Sequence, residues 1–452
     1  MAIPIPDSLL RSLSSLPKAS RYLIAFSGGV DSMVMLHALA GIRDRLGGEL
    51  LAVHVDHGLQ APSRDWAEWC RDRCEELAVP FILRRVCVSA AKGESPEAAA
   101  RHARYQALSA EMRSGDLLLT AHHQDDQAET LLLHLLRGAG PAGLAAMPPC
   151  RPFGPGHLVR PLLHFPRGRL VQYAGQRGLA WLDDPSNSDI AFDRNYLRHQ
   201  IIPLLAARWP AFVTTVSRSS ALCAEAEDLL DGMAQGLLDD MTPASGRLRL
   251  EPLSRLEAPK RRLVMRAWLK RLGAPPPDHR LLERLCAETL TANPDRHPRI
   301  EWGDAAACRF RGDLYLLRRD ALSTRPKGAI LWGKGTRLEL PGNGALELIP
   351  AKGGISRERW DGARVQIRYR QGGEQCRIAL RGMTRPLKKL LQEAGLPPWL
   401  RERQPLVYLD GHLAMVPGFG SCEPFTVDPE QMGVRMDWKM PDLMYSHYNT
   451  DG

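Results

Sequence analysis

Over residues 1–140 the apolar positions switch repeatedly between two periods. Tyr22 to Phe26 is a short apolar run, and a helix-like spacing follows from Asp31 to Leu46. Leu50–Val55 reads as a strand and Arg64–Leu77 as a helix. Phe81–Val88, Pro96–Met112, Leu117–Ala121 and Gln124–Leu136 continue as strand, helix, strand, helix. Strands that alternate with helices predict an α/β domain built on a doubly wound parallel sheet covered on both faces. Such sheets bind ligands just beyond the carboxyl ends of their strands.

Further along, the pattern becomes loop-rich over 138–155 and helical from about 166 to 235. A helical pair, Leu253–Leu272 and Asp278–Leu290, is split by the prolines at 275–277. Strand-like pieces near 309–318 and 336–349 precede a basic module that starts near Ile355. The expected organisation is a catalytic domain over 1–220, a mainly helical linker domain over 221–350 and a small α+β domain over 355–437.

Composition sharpens this picture in three ways. No run approaches the ~18 apolar residues of a membrane span, and the N-terminus is short and broken by prolines, so a cytoplasmic protein without membrane contact is expected. The nine cysteines include no C-x-x-C pair, which predicts isolated reduced thiols and no zinc ribbon. The net charge is +9, and Arg364–Arg403 carries ten Arg and Lys against Glu374, Glu393 and Glu402. So concentrated a charge, beside Tyr369 and Trp399, favours a polyanionic partner.

Candidate chemistry sits at three strand ends. Ser27-Gly28-Gly29-Val30-Asp31-Ser32 pairs a tight turn with a helix start, a backbone cradle for phosphate, and it lacks the Gly-Lys-Ser/Thr ending of a Walker loop. Its S-G-G-x-D-S order matches the loop of ATP pyrophosphatases that cut between the α- and β-phosphates. Val53 to Leu59 ends the next strand with Asp56 and His57, placed to meet a nucleoside. Ala121 to Thr130 gathers His122, His123, Asp125, Asp126 and Glu129. His122, Asp126 and Glu129 share one face if the helix has begun by His122, and the set could hold Mg²⁺, bind an ammonium group or supply a base. The spacing does not fit zinc. Arg101 and Arg104 lie one turn apart, and Arg194 and Arg198 follow an Asp-Pro-Ser-Asn turn at 184–187.

In this order the motifs closely resemble one family, the bacterial tRNA(Ile)-lysidine synthetases. The matching segments are Ser27–Ser32, Val55–Leu59, Ala100–Tyr105, Ala121–Thr130, Arg137–Leu144, Arg160–Leu163, Asp184–Asn187 and Arg194–Arg198, resuming at Arg370–Glu374, Lys388–Glu393, Pro398–Arg403 and Val416–Gly418. Residues 235–355 match weakly. The resemblance implies that ATP adenylates C2 of cytidine 34 in a CAU-anticodon tRNA(Ile), and that free L-lysine then displaces AMP. On that basis Ser27, Gly28, Gly29, Val30, Asp31 and Ser32 hold phosphate, Asp31 and Asp126 hold Mg²⁺, and Asp56 and His57 lie near the nucleoside. Arg101 and Arg194 meet phosphate, the lysine carboxylate or tRNA, while His122, Asp126 and Glu129 orient lysine or take its proton. Arg370, Arg385, Lys388, Lys389, Trp399, Arg401 and Arg403 are expected on tRNA, and a homodimer is possible. The alternatives are a 2-thiocytidine-type enzyme, for which the C-x-x-C cysteines are lacking, and a non-catalytic tRNA-binding protein.

Overall fold

Strand β1 (Arg21–Ala25) is buried among apolar side chains and pairs in parallel on both sides, with β2 (Glu49–Asp56) and with β4 (Leu117–Leu119). The computed structural model describes residues 6–57, 63–87, 96–243, 246–293, 296–323, 326, 328–333, 335–378 and 385–445, without the side chains of 63, 64, 96–98 and 385. With β3 (Phe81–Arg85) and a hairpin of β5 (Cys150–Phe153) and β6 (Gly156–Val159), the six strands run in the order β3-β2-β1-β4-β6-β5. The chain steps outward from β1 to β3, then returns across β1 to β4. That reversal opens a crevice at the carboxyl ends of β1 and β4, where doubly wound sheets bind ligands.

Helices cover both faces. After α1 (Asp7–Ser14), α2 (Val30–Ala40) is apolar on nearly every side, with Val34, Met35, Leu36, Ala38 and Leu39 fully buried against one face of the sheet. Leu108 of α5 (Pro96–Ala110) packs with Leu23, Leu118 and Leu158 on the other face. Between them lie the short α3 (Arg43–Leu46) and α4 (Ser63–Glu76). The helix expected from Asp31 to Leu46 is therefore two helices, broken at Gly41-Ile42. By contrast, α6 spans Gln124–Leu136, the expected bounds.

The loop expected over 138–155 instead carries α7 (Pro141–Leu144) and opens the β5–β6 hairpin. These four-residue strands, one holding Pro152, have too little alternation to be read from pattern. The helical stretch expected from 166 is α8 (Arg167–Gln176), then an irregular run with one 3₁₀ turn (Pro185–Ser188), then α9 (Asp193–Tyr196), a π-helical turn (Leu197–Ile201), α10 (Ile202–Arg208) and α11 (Phe212–Met241).

The chain divides into two compact units, Met1–Leu229 and Leu230–Gly452. In the second, α13 (Ala258–Arg271, after α12, Leu250–Ser254) and α14 (His279–Thr291) pack with Trp268 fully buried against an antiparallel sheet, whose strands include Ala305–Phe310 and Asp313–Arg318. A five-stranded sheet built around Val365–Tyr369 and Pro405–Leu409 follows, with the helix Leu387–Glu393 beside it. The cysteines depart from expectation here: Cys376 and Cys422 form a disulfide, brought together by the backbone bridge between Ile378 and Cys422. The sequence separation of 46 residues hid that pairing. None of the described helices is long and apolar enough to cross a membrane.

Candidate active site

The loop after β1 is shaped by two glycines. Gly28 has φ +84°, a conformation that costs glycine nothing, and a Cβ there would lie 2.8 Å from Leu182 Cδ1 and 3.0 Å from Cys70 Sγ. Its carbonyl accepts from the Leu182 amide at 2.9 Å, so a segment far along the chain walls the loop. Gly29 is the N-cap of α2 and no side chain caps the helix, which leaves first-turn N–H groups able to bind an anion. Ser32 donates to the Gly29 carbonyl at 2.9 Å and meets the Ser27 hydroxyl at 3.1 Å.

At the end of β2, Asp56 is buried, with Arg85 Nε 3.8 Å from its carboxylate. The next residue, His57, has a buried Nδ1 with no hydrogen-bond partner; burial, and then the Arg104 charge, pull its pKa down. Gly58 and Leu59 lie outside the described residues. His54, which pattern reading left without a role, bonds the Phe26 carbonyl at 2.8 Å and ties β2 to the start of the loop after β1.

The third cluster corrects one expectation. Helix α6 begins at Gln124, so His122 precedes it and does not share a helical face with Asp126 and Glu129. His122 turns to Thr120, with Nδ1 2.9 Å from the hydroxyl. Burial draws its pKa down to about 3; Asp126 opposes this, while the charges of Arg160, Arg101 and Arg194 reinforce it. Its neighbour His123, not singled out from the sequence, is the N-cap of α6 and closes a capping box with Asp126. Its Nδ1 accepts from the Asp126 amide, so Nε2 carries the proton and lies 3.5 Å from both Asp31 Oδ2 and Asp126 Oδ2. Burial pushes the His123 pKa down, but Asp31, Asp126 and Asp125 together move it up. A polar residue three before an acidic one at a strand end is a cap signal that could have found it.

Glu129 is only 1% exposed and both its oxygens are taken. Arg194 Nε donates to Oε2 at 2.8 Å, and Arg198 donates from Nε to Oε1 at 2.6 Å and from Nη2 to Oε2 at 2.9 Å. Arg198 also reaches Asp126 Oδ1 at 3.3 Å. Arg198 belongs to the site although only Arg194 was singled out; the i,i+4 spacing of the pair was the available sign. On the far side, Arg101 lies over Tyr105, 5.0 Å from the ring centroid. Arg160 is 5% exposed, donates to the Pro148 carbonyl at 2.6 Å and has a buried Nε without a partner.

The structure thus gathers Asp31, His123, Asp126, Glu129, Arg194 and Arg198 in one network, with three unpartnered buried atoms near the strand ends: Asp31 Oδ1, His57 Nδ1 and Arg160 Nε. Unsatisfied polar atoms are costly unless a ligand meets them.

The cationic residues expected on RNA, all in the second unit, divide. Lys388 and Lys389 are exposed, above the buried Leu387, Leu390 and Leu391. Arg403 is 3% exposed and spends its guanidinium on the carbonyls of Gly342 and Ala321; it packs the unit rather than facing outward. Arg401 donates to the Leu396 carbonyl at 2.5 Å and covers the Phe310 ring. Trp399 packs edge-on against Phe310 and Tyr315. Arg370 Nε lies 3.8 Å from Glu374, and the Arg385 side chain is outside the described residues.

Comparison with known proteins bears on all three regions. A model described as PP-loop domain matches residues 5–205, one described as TilS substrate binding domain matches 248–315, and one described as TilS substrate C-terminal domain matches 365–438. The tRNA(Ile)-lysidine synthase of Methylococcus capsulatus is 43% identical over 94% of this chain and 98% of its own. That of Coxiella burnetii is 39% identical over 96% of this chain and 97% of its own. The chain belongs to the tRNA(Ile)-lysidine synthase family. Residues 248–315, inside the stretch that matched weakly by motif, are thereby placed within a domain of that family.

Proposed function

We infer that the protein is an ATP-dependent ligase that makes lysidine on tRNA(Ile). The observation that carries this is family membership over nearly the whole chain, with the family's polar motifs converging at the strand ends. In the reaction we propose, O2 of cytidine 34 in the CAU anticodon attacks the α-phosphorus of ATP and pyrophosphate leaves. The ε-amine of free L-lysine then attacks C2 and AMP departs, with one proton lost from the amine.

The α2 N-terminus and the Ser27–Ser32 loop take the phosphates, and Asp56 and His57 lie at the nucleoside. Asp31 and Asp126 fit Mg²⁺: both carboxylates face the same His123 nitrogen, and Asp31 Oδ1 is buried without a partner. The ion would screen charge on the leaving pyrophosphate. Glu129, with both oxygens on guanidinium groups, positions Arg194 and Arg198 and takes no proton. We assign the proton from lysine to His122. Burial, reinforced by the charges of Arg160, Arg101 and Arg194, holds it neutral, the form whose free ring nitrogen can accept a proton.

The deciding measurement is pyrophosphate release with CAU-anticodon tRNA(Ile) followed by lysine-dependent release of AMP, against a CAU-anticodon methionine tRNA as control. An Asp31→Ala enzyme that releases pyrophosphate at the wild-type rate would falsify the site assignment.

A further inference from the structure

The second unit holds a cavity of about 170 Å³, remote in sequence from the strand-end motifs and lined by His297, Arg299, Cys308, Leu322, Trp399 and Glu402, with Arg403 in its wall. Its floor is apolar. Cys308 is 4% exposed and clusters with Leu317, and Leu322 and Trp399 pack against that cluster. Trp399 is fixed edge-to-face by Tyr315, at 5.2 Å between centroids, and by Phe310, at 6.1 Å. The carbonyl bonds of Arg403 hold its guanidinium in place, so one wall is a fixed cation. Exposed Arg299, which also pairs with Glu301 at 2.5 Å, and exposed His297 lie at the rim, His297 steadied by Phe310 at 5.4 Å.

A rigid indole in an apolar recess, with the Arg299 guanidinium and the His297 ring at its rim, suits a planar ring that carries an anion. The volume is below the roughly 300–1,000 Å³ of pockets for larger ligands, and matches a single heterocycle. A base in a duplex cannot enter such a recess, whereas an unpaired base can leave its neighbours and stack. We propose that this cavity receives the base of one unpaired RNA nucleotide against Trp399, with its phosphate at Arg299 and His297. The proposal rests on reading the chain as an enzyme that acts on tRNA, and adds to it a second contact outside the active site.

The test uses the full chain and a labelled five-nucleotide single-stranded RNA, with a backbone-matched abasic oligomer as competitor. The base-bearing oligomer is expected to bind saturably and the abasic one to compete poorly. Trp399→Leu and Arg299→Ala are each expected to weaken binding about tenfold, the scale of one base–aromatic stack. Equal competition by the abasic oligomer, or unchanged binding by both variants, overturns the proposal. Should Trp399→Leu fail to fold, the exposed Arg299→Ala and His297→Ala decide alone. Pyrophosphate release is followed in the same preparations. Its absence from the wild-type chain, with base-dependent RNA binding intact, removes the catalytic reading and leaves the cavity assigned.

Discussion

Gly28 is held by two constraints at once, a positive φ and a missing Cβ. Gly28→Ala combines a left-handed alanine with contacts at 2.8 and 3.0 Å, so we expect a loss of about 1–3 kcal/mol in urea unfolding and weakened ATP binding by calorimetry. Glu129→Gln leaves two guanidinium groups facing a neutral amide. The arginines keep some solvent, at 22% and 30% exposure, so the cost should fall near the lower end of the roughly 3–5 kcal/mol for a broken buried pair. Unchanged unfolding of this variant would show that the network is not structural. His122 carries a signature in pH. It titrates at about 3 in the folded chain against 6.5 for an ordinary histidine, so the unfolded chain binds the extra proton between those values. Stability from this residue is complete above about pH 6.5 and is lost as pH falls toward 3. His122→Asn should therefore show a smaller drop in urea stability between pH 7.5 and pH 5 than the wild type; an equal drop refutes the assignment.

Elements differ in how openly the sequence declared them. Helix α6 was legible to the residue because apolar positions repeat along it after a polar strand end. The turn after β1 was equally plain, since the full S-G-G-x-D-S order, and not the two glycines alone, marks it, and a PP-loop model spans it. The β5–β6 hairpin was not, because four-residue strands offer no period and Pro152 argues against one. Whether His122 shares a face with Asp126 and Glu129 stayed conditional in the sequence because motif spacing says nothing about where a helix starts; the cap at His123 decides that. Arg403 carries the same lesson for charge, since nothing local marks an arginine that bonds carbonyls 61 and 82 residues away. On the Leu387–Glu393 helix, the exposed lysines yield an element-scale prediction. Lys388→Ala/Lys389→Ala should lower the slope of log affinity for tRNA against log salt by about 1 per lysine and leave ATP binding unchanged. An unaltered slope would place the RNA elsewhere.

At the scale of the whole molecule, the Cys376–Cys422 disulfide closes a loop of 46 residues within the second unit. A cross-link over a loop of that size typically contributes about 2–4 kcal/mol. Reductant, or Cys422→Ser, should lower the unfolding midpoint of the second unit while leaving that of the first in place. A single shift shared by both units would show that they unfold together.

The bond between the Leu182 amide and the Gly28 carbonyl bears on how this catalytic unit can be divided. All three strand-end motifs are complete by Thr130, so a fragment ending near residue 150 would carry each of them while missing the rest of the family's first domain. It would lack the wall over the phosphate loop and both arginines that hold Glu129. Such a piece is a recognisable sequence without a finished site. Gene fusions, truncations or split-protein designs in this family therefore have their earliest workable cut beyond Arg198.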